Sequence, residues 1–138
     1  MNTLTKTTIP TIDCQELLSL LTCALDYGYN FGLAEELTIC NPIDGDVYYD
    51  EVVSALLDGR DIIFKDKADS STKKLTYGGL LHAAFEFAQE YPRIYSRIGE
   101  EDGYIPQVGL RILLTALYGW ARVATDIGER FSNFIKLN

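Results

Sequence analysis

Apolar side chains recur along this chain at two spacings, three to four residues and two residues, and the switches between them divide it into elements. Leu17, Leu18, Leu21, Ala24 and Leu25 share the helical spacing and give one apolar face. Asp13 suits the start of this helix, because its carboxylate can accept a first-turn N–H while Glu16, three residues on, reaches back. Gly28 is the expected end. In "YNFGLAEELTIC", Leu33, Leu37 and Ile39 with polar neighbours fit a half-buried strand over 33–40. "NPIDGDVY" combines proline, glycine and aspartates, which is the chemistry of a loop. A short helix then runs from about Asp46 or Val47 to Asp58, with Val52, Val53, Leu56 and Leu57 inward and Gly59 beyond it.

The next segment predicts a hairpin feeding a helix. Ile62, Ile63 and Phe64 mark a strand over 61–66, "KADSST" a turn, and "KKLTY" the returning strand over 72–76. Lys65, Lys67, Lys73 and Lys74 flank the turn, where lysines protect an edge strand from pairing with other chains. Thr76 suits the cap of the following helix, in which Leu80, Leu81, Ala84, Phe85 and Ala88 recur at helical spacing before Pro92. A hairpin alone is marginal and requires a helix or a third strand to cover its apolar face; the helix that follows can pack back over the sheet. Gly78 and Gly79 lack the spacing of a phosphate-binding loop.

After "GEEDGY", Pro106 suits a first helical turn, and Val108, Ile112, Leu113, Ala116, Leu117, Trp120, Val123, Ala124, Ile127, Phe131 and Phe134 or Ile135 form one stripe. Unbroken, such a helix of about thirty residues would reach roughly 45 Å, beyond the span of the domain. Two outcomes follow. Trp120, Val123, Ile127, Phe131 and Phe134 pair with a second copy in a homodimer, or the helix bends at Gly119 or Gly128 and folds back. The fold class is therefore α+β: a small antiparallel sheet of about three strands packed with helices, and a long C-terminal helix. Residues 1–138 read as one domain, with a core over about 12–119 and a helical extension over 120–138.

Composition restricts the chemistry. The 138 residues are 47% hydrophobic and 23% charged, near the globular average. Arginines interrupt the apolar run "RILLTALYGWARV", so no membrane span is expected. "MNTLTKTTIPTID" lacks the apolar stretch of a secretory signal, which predicts a cytoplasmic location. Twenty acidic against 12 basic side chains give a net charge of −8, which disfavours direct nucleic-acid contact and favours a basic protein partner. Glu100, Glu101 and Asp102 form the acidic cluster nominated for that contact.

Cys14, Cys23 and Cys40 are an odd number without metal-ligand spacing, and read as reduced, buried thiols. His82 is the one histidine, which removes paired-histidine metal sites. The aspartates of "NPIDGDVYYDE" do not fit a calcium loop in any register. No catalytic, cofactor-binding or metal-binding residue is nominated.

Three stretches carry a resemblance: the leading helix into "ALDYGYNFG", the segment "ALLDGRDIIFKDKADSSTKKLTYGGLLHAAFEFA", and "ALYG" closing an apolar helix. Over residues 17 to 119 the chain resembles short, uncharacterised proteins of bacteriophages, prophages and conjugative elements. Those proteins tend to end in Ala-Leu-Phe-Gly; here Leu114 and Trp120 replace polar positions around that motif, and Ala121 to Asn138 extend beyond it. The resemblance implies a non-catalytic binding protein that works in a bacterial host, as an inhibitor of a host enzyme or of a defence system such as a CRISPR effector. Two other readings stand beside it: an enzyme using Cys40 or His82, and a self-associating structural protein.

Overall fold

The structure is a computed structural model and describes residues 12–40, 51–98 and 105–136. Helix α1 spans Cys14–Asn30 and begins where the sequence predicts, with the Asp13 carboxylate accepting the Glu16 N–H at 3.1 Å. It runs past Gly28, because Gly28 is buried within the helix against Leu33 and Leu110, where a side chain would collide. The predicted strand over 33–40 divides: Leu33–Glu35 is one 3₁₀ turn, and only Leu37–Ile39 pairs, as β1. After the undescribed residues 41–50 comes α2, Val52–Leu57. The first half of the helix expected there thus lies outside the described residues.

Strands β2 (Ile62–Asp66) and β3 (Thr72–Leu75) form the predicted hairpin, and β1 adds to the free edge of β2. Both pairings are antiparallel, with Leu37 opposite Asp66 and Phe64 opposite Lys73. The period of two sends Ile62, Phe64 and Asp66 to the covered face and Ile63 and Lys65 to the other. Helix α3, Tyr77–Glu90, starts as read, with Thr76 accepting the Gly79 N–H at 2.9 Å, and Pro92 opens the short α4, Pro92–Ser96. The fold is α+β, as the spacings predict.

The terminal stripe does not form one helix. Helix α5, Ile105–Tyr118, stops at Gly119, whose φ of 94° is a backbone conformation that side chains resist. Three short helices follow: α6 (Trp120–Val123), α7 (Asp126–Arg130) and α8 (Ser132–Ile135). They fold back, and Val123, Ile127, Phe131 and Ile135 become part of the same buried core as Phe64 and Leu113. Trp120 lies over Tyr91 and Phe134 against Phe131, both half-buried. Of the two outcomes weighed for the stripe, the bend at Gly119 is the one seen, and Val123, Ile127 and Phe131 are buried within the chain.

The core is centred where α1 crosses α5. That crossing is close because Gly109 of α5 sits on Ala24 and on the Leu20 carbonyl of α1. A Cβ at Gly109 would stand 2.6 Å from that carbonyl oxygen and 2.7 Å from the Ala24 Cβ. Gly109→Ala is therefore expected to destabilise the fold by about 1–3 kcal/mol in chemical denaturation, as overpacking does. Gly78→Ala, at an exposed helical position where an added Cβ would meet no packed neighbour within 4 Å, serves as the control and should stay within about 0.5 kcal/mol of the parent.

Candidate functional site

Asp66 ends β2 on the covered face of the sheet and is 2% exposed. A carboxylate so placed must be met by a cation and hydrogen-bond donors. Arg130 of α7 supplies the cation in a two-point contact: Nη1 donates to Oδ2 at 2.8 Å and Nη2 to Oδ1 at 2.9 Å. The Tyr118 hydroxyl donates to Oδ2 at 2.5 Å and the Ala68 N–H to Oδ1 at 2.9 Å. Arg130 also reaches Glu36 beside β1, with Nη2 and Nε donating to Oε2 at 2.6 and 3.1 Å. One guanidinium thus ties α7 to two neighbouring segments of the sheet.

The protonation states follow from this geometry. Arg130 holds the Asp66 carboxyl well below the usual carboxylate range, against the burial that opposes ionisation. Burial first, and then the Asp66 carboxylate, push the Tyr118 phenol above its usual range, so it remains a donor. Lys73, 5.1 Å from the Tyr118 ring centre, and Arg122, 5.5 Å from it, place two further cations on that ring. Arg122 is itself paired with Asp126 at 2.8 Å. The cluster's charges close on one another, which is the arrangement of a structural clamp.

Residues weighed for chemistry lie elsewhere. His82 has a side chain 74% exposed on α3, with Nδ1 3.2 Å from Glu86 Oε1. Cys14 and Cys23 are exposed and Cys40 half-buried, contrary to the expected burial. Cys23 faces away from the apolar face of α1, and Cys14 is the first residue at its open end. Cys14 lies against Tyr77, whose phenol it pushes upward in pKa. Glu100, Glu101 and Asp102 lie outside the described residues. Among the described residues, no group of three or more His, Cys, Asp or Glu side chains converges as a metal site would, and no helix is long and apolar enough to cross a membrane.

Two grooves stand out among the described residues. A groove of about 700 Å³ runs between α1 and α2, with Leu18, Val53 and Leu57 as its apolar part and Asp13 and Glu16 as its charged residues. Leu57 is 61% exposed there. A second, of about 620 Å³, lies between α5 and the terminal helices, lined by Arg111, Thr125, Gly128, Glu129, Ser132, Asn133 and Lys136 among others.

Because the Asp66 pKa is depressed by folding, the clamp's contribution is complete above the ordinary carboxylate value of about 4 and declines as pH falls from there through the lower folded value. Asp66→Asn is expected to cost about 3 kcal/mol at neutral pH, the lower part of the range for a broken buried pair because the Arg130 side chain is 23% exposed. Urea titrations across pH 2–7, on the order of one unit apart, should also show a flatter acid limb for this variant than for the parent. An unchanged acid limb would show that the carboxylate is not held as described.

Comparison of the chain with protein-family models, with curated proteins and with solved structures finds no match.

Proposed function

We propose that this chain is a non-catalytic binding protein of a phage or mobile element, which holds a basic host protein in the bacterial cytoplasm. The observation that carries this reading is the groove between α1 and α2. Its described lining has an apolar part ending in the exposed Leu57, two carboxylates, and no cation. An apolar anchor from a partner fits beside Leu57, while Asp13 and Glu16 favour a basic surround. The net charge of −8 acts in the same direction over a longer range.

Support for the setting comes from the resemblance of "ALDYGYNFG", "ALLDGRDIIFKDKADSSTKKLTYGGLLHAAFEFA" and "ALYG" to small proteins of phages and conjugative elements. Proteins of that setting inhibit host enzymes and defence systems, and an acidic one suits the cationic groove of a nucleic-acid-processing complex such as a CRISPR effector. Glu100, Glu101 and Asp102 belong to this proposal as a second acidic contact.

A photo-crosslinking residue at position 57, with one at the exposed Gln89 as control, tests the reading in bacterial cytoplasm. The expected result is a host protein captured from position 57 alone and lost with Asp13→Asn plus Glu16→Gln, more completely at low salt than at high salt. Glu100→Gln, Glu101→Gln and Asp102→Asn together should weaken capture in the same direction, and His82→Gln should leave it unchanged. Capture of a second copy of this chain would support the self-associating reading instead. A turnover activity lost by about a hundredfold on changing Cys40 or His82 would support catalysis.

A further inference from the structure

Arg111 lies on α5 and lines the groove between that helix and the terminal helices. Its situation is the reverse of that of Arg130. Among the described residues its side chain pairs with no carboxylate, and its Nε–H is buried without an acceptor. One face of the guanidinium is covered by the Tyr91 ring, 5.5 Å from the ring centre. One helical turn earlier, the Oε1 of Gln107 is also buried without a partner. An arginine desolvated on one face and paired with no anion among the described residues is costly to keep, and an unmet buried donor calls for a reason.

From this we infer that the groove is a binding site for a small oxyanion-bearing molecule, a phosphomonoester in particular. Arg111 supplies a rigid, planar set of donors pre-oriented by the ring beneath it, the geometry that recognises phosphate and carboxylate oxygens. Ser132 and Asn133 add neutral donors and Lys136 adds a second cation. Glu129 is the one acidic residue of the described lining, so the groove keeps a net positive charge within a protein of net charge −8. At about 620 Å³ it has the size of a small-molecule site, well beyond the need of a bare ion. Gly128 brings backbone to the same lining; a side chain there would run into the Val123 carbonyl oxygen. This site is separate from the groove between α1 and α2 and does not depend on the protein-binding reading.

The test titrates the full chain with inorganic phosphate, a nucleoside 5′-monophosphate and citrate, following the Arg111 Nε–H by NMR and the melting temperature in parallel. Saturable movement of that resonance by the nucleotide, with weaker binding of phosphate alone, is the expected result. Stronger binding of citrate would assign the site to carboxylates rather than phosphates and overturn the phosphomonoester assignment. Arg111→Gln should weaken binding by about tenfold or more, and Arg111→Lys should weaken it too, because a point charge does not replace the planar fork. Arg122→Gln, which removes a cation outside the groove lining, should have no effect. Without ligand, Arg111→Met should be as stable as the parent or more so, since it removes a cation that pairs with no carboxylate among the described residues. No saturable response up to about 10 mM, a range in which even a millimolar site would fill, would overturn the inference. So would an equal response in Arg111→Gln, or a stability loss in Arg111→Met, which would make the arginine a packing residue.

Discussion

A carboxylate on the covered face of the sheet is the constraint from which the C-terminal third of this protein follows. Asp66 stands in line with Ile62 and Phe64, and its charge is stable there only if a cation is delivered to it. The cation comes from Arg130, 64 residues away, so the chain beyond α5 must return to the sheet. Gly119 gives the sharp reversal, and the short helices α6 to α8 replace the long helix that the hydrophobic stripe alone would build. The return also buries Phe131 and Ile127, so one movement satisfies both the charge and the apolar surface. Asp66 has a local role as well, since its carboxylate accepts the Ala68 N–H in the hairpin turn.

Away from the clamp, the fold rests on close packing. The contact of Gly109 with the backbone of Leu20 sets how near α1 and α5 lie, and the hairpin reaches this pair through β3 and α5. Two grooves lie among the described residues. One is apolar and acidic and suits a protein partner; the other is polar and basic and suits a small anion. Charge separates them in kind, and the difference between Arg130 and Arg111 illustrates it: among the described residues the first pairs with two carboxylates and the second with none.

Much of the fold was legible because local chemistry and tertiary need agree. Asp13 and Thr76 cap the helices they were expected to cap, and the hairpin pairs as its alternating residues predict. Disagreement arises where distant residues decide. Gly28 looks like a helix end but serves helix packing, and the stripe through Trp120 and Phe131 looks continuous because periodicity does not register a left-handed glycine. The clamp itself had a readable half: an aspartate two residues beyond Phe64 on a core-facing register demands a partner. Which cation would answer was not readable, since pairing across 64 residues leaves no local signal. Arg111 was likewise hidden within an apolar helix, its lack of an anion among the described residues visible only once its neighbours are placed.

A double-mutant cycle on Asp66→Asn and Arg130→Met measures the central interaction most directly. If the buried charge pair holds the terminal helices to the sheet, the two substitutions are strongly coupled: the double variant should be more stable than the sum of the single losses predicts, by about 2 kcal/mol or more. Additive losses, with a coupling below about 0.5 kcal/mol, would contradict the account and leave the return of the chain to hydrophobic burial alone.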